Sequence, residues 1–168
     1  MAIFFIIATV ILRLIPHLPN FAPIAALALF GGTYLNKKYA LLIPLLAMFF
    51  SDYFIGFAEV WVTFSIYLSF FLIGLIGLWL RNHRKLPNIA GASLAGSILF
   101  FIITNFAVFA ATPWYPKTFQ GLVQCYTMAI PFFRNTVLGD LFYVGAMFGL
   151  YELVLFIIRR RASITVIN

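Results

Sequence analysis

The chain has 168 residues, 64% of them hydrophobic and 9% charged, with a formal net charge of +7. A soluble domain is about 45–50% apolar and about 25% charged, so this composition fits neither a water-soluble globule nor a disordered chain. The single cysteine, Cys125, excludes an intrachain disulfide and a cysteine-based zinc site.

The solvent for such a chain is a lipid bilayer, and a spanning helix needs about 20 apolar residues. In chain order the apolar segments are residues 1–15 (interrupted by Arg13), 21–35, 39–57, 60–80, 89–111 and 136–158. A seventh stretch, 119–130, is shorter and carries Gln120, Gln124 and Thr127, so it reads as interfacial. The first segment lacks a basic leader and a small-residue cleavage site, so it is taken as a retained helix rather than a signal peptide. No internal repeat and no linker is evident. The expected architecture is all-α, a single transmembrane domain over 1–168 built as a bundle of six transmembrane helices.

Between the first two segments Pro16, Pro19 and Pro23 force a break. Irregular backbone at membrane depth is tolerated where it is buried in protein or faces a water-filled cavity, which makes 13–20 a candidate site. Lys37 and Lys38, then Arg81, Arg84 and Lys85, then Arg159, Arg160 and Arg161 fall on one side of a six-span chain. These clusters hold eight of the eleven basic residues, and the positive-inside rule places both termini in the cytoplasm. The net charge is thereby read as topological anchoring, with contact to anionic lipid, and not as nucleic-acid binding.

Ionisable and amide side chains within apolar segments are expensive and need a reason. Arg13, His17 and Asn20 lie at the first break. Asp52 lies late in the third segment, Asn105 late in the fifth, and Arg134, Asn135 and Asp140 open the sixth. All fall at one depth, toward the outside, whereas the inner half carries little beyond Glu152. These eight residues form the expected substrate-binding set, lining a cavity for a polar small molecule. Three of them have a plainer alternative, His17 as a cap or hydrogen-bond partner of the proline-rich turn and Asn20 and Asn135 as helix N-caps. Arg134 and Asp140 are about 120° apart on a helix and cannot pair. Arg13 is therefore the expected partner of Asp140 or Asp52. Thr136, Asp140, Tyr143 and Met147 share one helix face, a cavity wall near its start and a packing seam at Tyr143 and Met147. The 112–133 connection carries Trp114, Tyr115, Phe119 and Tyr126, as interfacial anchors or as a lid. Small residues recur four apart at Ala22/Ala26, Ala92/Gly96 and Gly145/Gly149, for close packing or for docking a second membrane subunit. No HExxH, GxSxG or Walker motif occurs. Neither catalytic residues, nor a metal, nor a cofactor is expected.

Two stretches are distinctive: Arg13-Leu-Ile-Pro-His-Leu-Pro-Asn-Phe-Ala-Pro-Ile-Ala-Ala-Leu-Ala-Leu-Phe-Gly-Gly32 and Phe132-Phe-Arg-Asn-Thr-Val-Leu-Gly-Asp140-Leu-Phe. With them the chain resembles an uncharacterised bacterial family of small membrane proteins labelled as transport proteins. More loosely, it is similar to the S components of energy-coupling-factor transporters in size, six-helix layout, the Asn-Thr-x-x-Gly-Asp run and the Ala-xxx-Ala pair. The resemblance implies capture of a vitamin-like nutrient from outside at the bacterial cytoplasmic membrane. It implies partnership with a transmembrane coupling subunit and cytosolic ATPases, and partner docking through Ala22 and Ala26. The N-terminus lacks the His-rich motif of the metal-binding S components, which argues against nickel or cobalt. The alternative function is an integral membrane enzyme using Asp52, His17 or Asp140 on a lipid or isoprenoid. A third is a structural protein whose polar cluster only orders the bundle.

Overall fold

The structure is a computed structural model that describes residues 2–16 and 18–165. It is all-helical, with α1 (Ala2–Leu14), α2 (Ile24–Tyr34), α3 (Leu42–Ile55), α4 (Val60–Leu80), α5 (Leu86–Ala111) and α6 (Phe119–Thr165). Three helices, α4, α5 and α6, are long and apolar enough to cross a membrane, the mark of a membrane protein. The number of helices agrees with the expected bundle of six, but the other three are short. α1, α2 and α3 have 13, 11 and 14 residues. At 1.5 Å per residue they reach about 16–21 Å, against about 30 Å of hydrocarbon.

The larger correction concerns the last third of the chain. The interfacial stretch 119–130 and the sixth segment are one continuous helix of 47 residues, with Pro131 inside it. Consequently Arg134 and Asn135 do not open a helix, and Asn135 is no N-cap. The stretch 119–130 has its own buried stripe, Gly121, Cys125 and Ala129, spaced one turn apart. That stripe faces α5. The Tyr126 hydroxyl donates to Ile102 O at 2.7 Å and Cys125 Sγ lies 3.5 Å from Asn105 O. The connection between α5 and α6 shrinks to residues 112–118. The Lys117 ammonium caps it by donating to Phe109 O and Thr112 O.

α2 is hydrophobic on all sides because it has no solvent side: every residue from Ile24 to Thr33 is buried. It lies against α4 at backbone distance. A Cβ on Gly32 would stand 2.7 Å from the Gly77 Cα, and one on Gly77 would stand 2.5 Å from Leu29 O. The Thr33 hydroxyl bridges the seam, 2.8 Å from Leu29 O and 3.1 Å from Gly77 O. Without a hydrophobic driving force between helices in lipid, such close approach is what holds helices together. Around α2, Phe30 stacks edge-on against Phe5 of α1 and Phe148 and Tyr151 of α6.

Basic residues gather at one end of the bundle. Arg81 donates to Gly32 O at 3.0 Å and to Leu35 O, satisfying carbonyls at the C-terminus of α2. Arg84 lies 5.7 Å over the Tyr34 ring, and the Tyr34 hydroxyl donates to Glu152 at 2.6 Å. Successive helices alternate in direction, so the ends of α1, α3 and α5 and the starts of α2 and α4 lie at the opposite end.

Candidate functional site

At that opposite end the chain turns from α1 into α2 through three prolines. Phe21 N–H donates to Leu18 O at 2.9 Å, closing the turn. Asn20 adopts φ 63°, the left-handed region that asparagine tolerates better than most residues. It is therefore a turn residue and not the helix N-cap. That position belongs to Pro23, whose carbonyl accepts from Leu27 N–H at 2.9 Å. The turn is fastened to α6 by Asn135, whose Nδ2 donates to Pro19 O at 3.2 Å. It also sits close to Gly139, where a Cβ would lie 3.1 Å from the Phe21 Cα.

Arg13 occupies the last turn of α1, where a cation complements the helix dipole. Its guanidinium reaches α3 with three contacts: Asp52 Oδ1 at 2.6 Å, Ser51 Oγ at 2.5 Å and Met48 O at 3.2 Å. The second oxygen of Asp52 accepts from the Tyr67 hydroxyl of α4 at 2.8 Å. Both oxygens of Asp52 are thus engaged, and the expected Arg13–Asp52 pair ties the first break to α3 and α4. Asp52 borders neither of the two cavities at this end and instead holds Arg13 in position. Asp140 is 3% exposed, and its partner is Ser97 of α5, whose hydroxyl lies 2.6 Å from Oδ2. Arg13 does not pair with it.

Two tie points between α5 and α6 define the space at this end. Ser97 meets Asp140, and Asn105 O meets Cys125. The two points are eight residues apart on α5 but fifteen apart on α6, or about 12 Å against about 22 Å of helix. α6 must take the longer path. Pro131 lies within that interval and withholds the N–H that a straight helix would use there. The gap holds a cavity of about 320 Å³, with Thr104, Asn105 and Val108 on the α5 side and Ala129, Phe132 and Phe133 on the α6 side. Trp114 of the short connection also borders it. A second cavity of about 180 Å³ lies beside it, bordered by Arg13, Ala22, Phe70 and Asp140. Asn20, Ile66, Phe100 and Thr136 border both, so the two adjoin.

Of the residues expected at a site, the structure brings Arg13, Asn20, Asn105 and Asp140 to these cavities. Asn135 supports the turn from beside them. His17 lies outside the described residues. Arg134 is exposed on α6 and borders neither cavity. Of the pair expected to dock a partner, Ala26 is 0% exposed inside the bundle and Ala22 borders the smaller cavity. Thr136 and Asp140 do form a wall, while Met147 is buried in the core and Tyr143 packs edge-on against Phe21, as a seam requires. Ser97, Tyr67 and Thr104 were not singled out from the sequence. Hydroxyl residues are common in apolar helices, where they bond the carbonyl one turn back, and all that marked Ser97 was its repeat with Ser93.

The chain belongs to a family of unknown function, DUF6580, which matches residues 1–163. Comparison with curated proteins and with solved structures gives no match.

Proposed function

We propose that this DUF6580 protein is the substrate-binding subunit of an uptake system, capturing a small organic nutrient from outside the bacterial cytoplasmic membrane. The observation that carries the reading is the pair of adjoining cavities at the end of the bundle remote from the basic clusters. In an integral membrane protein, polar groups converging on a concave space default to a binding role. Here the walls are largely aromatic and aliphatic, with Asn20, Asn105, Thr136 and Asp140 supplying a few placed polar groups. That combination suits a small molecule with a ring or chain and several hydrogen-bonding positions.

In this reading α1, α2 and α3 complete six crossings although each is short. In this arrangement the loops that carry Lys37, Lys38, Arg81, Arg84 and Lys85 face the cytoplasm with both termini. Release inward would depend on a transmembrane coupling subunit and cytosolic ATPases. With Ala26 buried, such a subunit would bind elsewhere than on the Ala22/Ala26 face. The test is mass spectrometry of small molecules released from the gently purified chain, paired with uptake by cells that express it. A bound solute that exchanges with external solute supports the reading. Turnover of a lipid by the isolated chain, with no bound solute, overturns it in favour of an enzyme.

A further inference from the structure

We infer that the ligand of this site carries a cationic nitrogen, which seats against Asp140 in the smaller cavity; this rests on the proposed binding function and specifies its substrate class. The inference comes from the charge balance. Among the described residues, three charged side chains are withdrawn from the surface at this end of the bundle: Arg13, Asp52 and Asp140. Arg13 and Asp52 answer each other at 2.6 Å, the one ion pair among the described residues. The guanidinium is further held by Ser51 and Met48 O, and the second Asp52 oxygen by Tyr67. That leaves Asp140, buried on α6 and bordering the cavity. Among the described residues its one hydrogen-bond partner is the Ser97 hydroxyl. A carboxylate so far from water is costly without a counter-charge, and the other described cations toward this end are turned elsewhere. Arg134 is exposed, and Lys117 donates to the carbonyls that end α5.

The walls beside Asp140 suit the same ligand. Phe70 of α4 and Phe100 of α5 both border the cavity, their ring centroids 5.2 Å apart. Aromatic faces attract a cation through the ring quadrupole, more strongly where water is excluded. A cavity bordered by this carboxylate and two phenyl rings, with the charge of the bordering Arg13 already answered by Asp52, is a receptor for an ammonium, an amidinium or a charged nitrogen heterocycle. The larger cavity, which adjoins it at Asn20, Ile66, Phe100 and Thr136, would hold the uncharged remainder of the molecule.

The experiment uses the full chain in detergent micelles. Thermal unfolding is followed with a panel of metabolite-sized cations, neutral compounds and anions that includes the matched set benzylamine, benzyl alcohol and benzoate. The charge of any solute released from the purified protein is read alongside. Stabilisation by cations, with Asp140→Asn weakening their binding about ten- to hundredfold, supports the inference, since charge-assisted hydrogen bonds have that strength. Asparagine still accepts from Ser97, which favours folding of the variant. If it fails to fold, Phe100→Leu serves instead: a loss of cation binding several-fold greater than the loss of neutral binding supports the same conclusion, and an equal loss of both overturns it. Stabilisation by neutral compounds or anions alone, or a co-purified solute without a cationic nitrogen, overturns the inference and leaves the binding function standing. No stabilisation by any class, together with no bound solute, overturns both.

Discussion

Replacing Arg13 by methionine isolates the ion cluster that fixes the first turn. The substitution removes a guanidinium that spans from α1 to Asp52, Ser51 and Met48 O, and it leaves Asp52 with Tyr67 as its sole donor. Breaking a buried pair by deleting one partner costs about 3–5 kcal/mol. The two side chains are 18% and 10% exposed, so some water screening remains, and the expected loss falls to about 2–3 kcal/mol. For a chain of this length that corresponds to a fall of roughly 4–12 °C in Tm. Asp52→Asn alone should also destabilise, because it leaves the guanidinium without its counter-charge. The double variant should be milder than the sum of the two, by roughly 1 kcal/mol or more, since the amide oxygen introduced at position 52 still accepts from Tyr67 and no charge is left unpaired. Denaturant titration in micelles, followed by tryptophan fluorescence, measures all three variants against the parent. Strict additivity would refute the reasoning, for it would mean that Arg13 and Asp52 stabilise the bundle separately.

Three further outcomes are expected. Gly77→Ala should sharply lower the folded yield in detergent, because the new methyl would stand 2.5 Å from Leu29 O, whereas Gly145→Ala, with open space around it, should stay within about 0.5 kcal/mol of the parent; equal yields for the two would contradict the close approach of α2 and α4. Asn135→Ala should cost about 1 kcal/mol by freeing Pro19 O, while its neighbour Arg134→Ala on the exposed face should be near neutral; thermal unfolding in micelles distinguishes them. Reporter fusions should place both termini on the side that carries Lys37, Arg81 and Arg84, and an external C-terminus would invalidate the assigned topology.

The sequence by itself determined the membrane character and the helical class. Those follow from composition and local periodicity: 64% apolar residues leave no soluble solution, and 60–80 is a helix because 21 consecutive residues there are apolar or small. The break at Pro16, Pro19 and Pro23 was equally local, since proline dictates its own backbone. Even the Arg13–Asp52 pair was legible as one of two options, because a charge in lipid must find an opposite charge.

The choice between those options belonged to tertiary structure. Nothing within α1 indicates whether Arg13 reaches α3 or α6, and only their placement gave it Asp52 and left Asp140 to Ser97. The continuity of α6 through Pro131 was hidden for a related reason. A proline in a helix is destabilising by itself, yet packing of the Gly121, Cys125 and Ala129 stripe against α5 holds the preceding turns helical. Ala26 shows the same limit: spacing marks it as a small residue fit for close contact, but whether that contact is internal or with a partner depends on which helices surround α2. Local sequence sets what each segment can be, because backbone propensity and hydropathy act within a few residues. Which side chains meet across α1, α3, α4, α5 and α6, and where a cavity remains between them, depends on how whole helices fill the space beside one another.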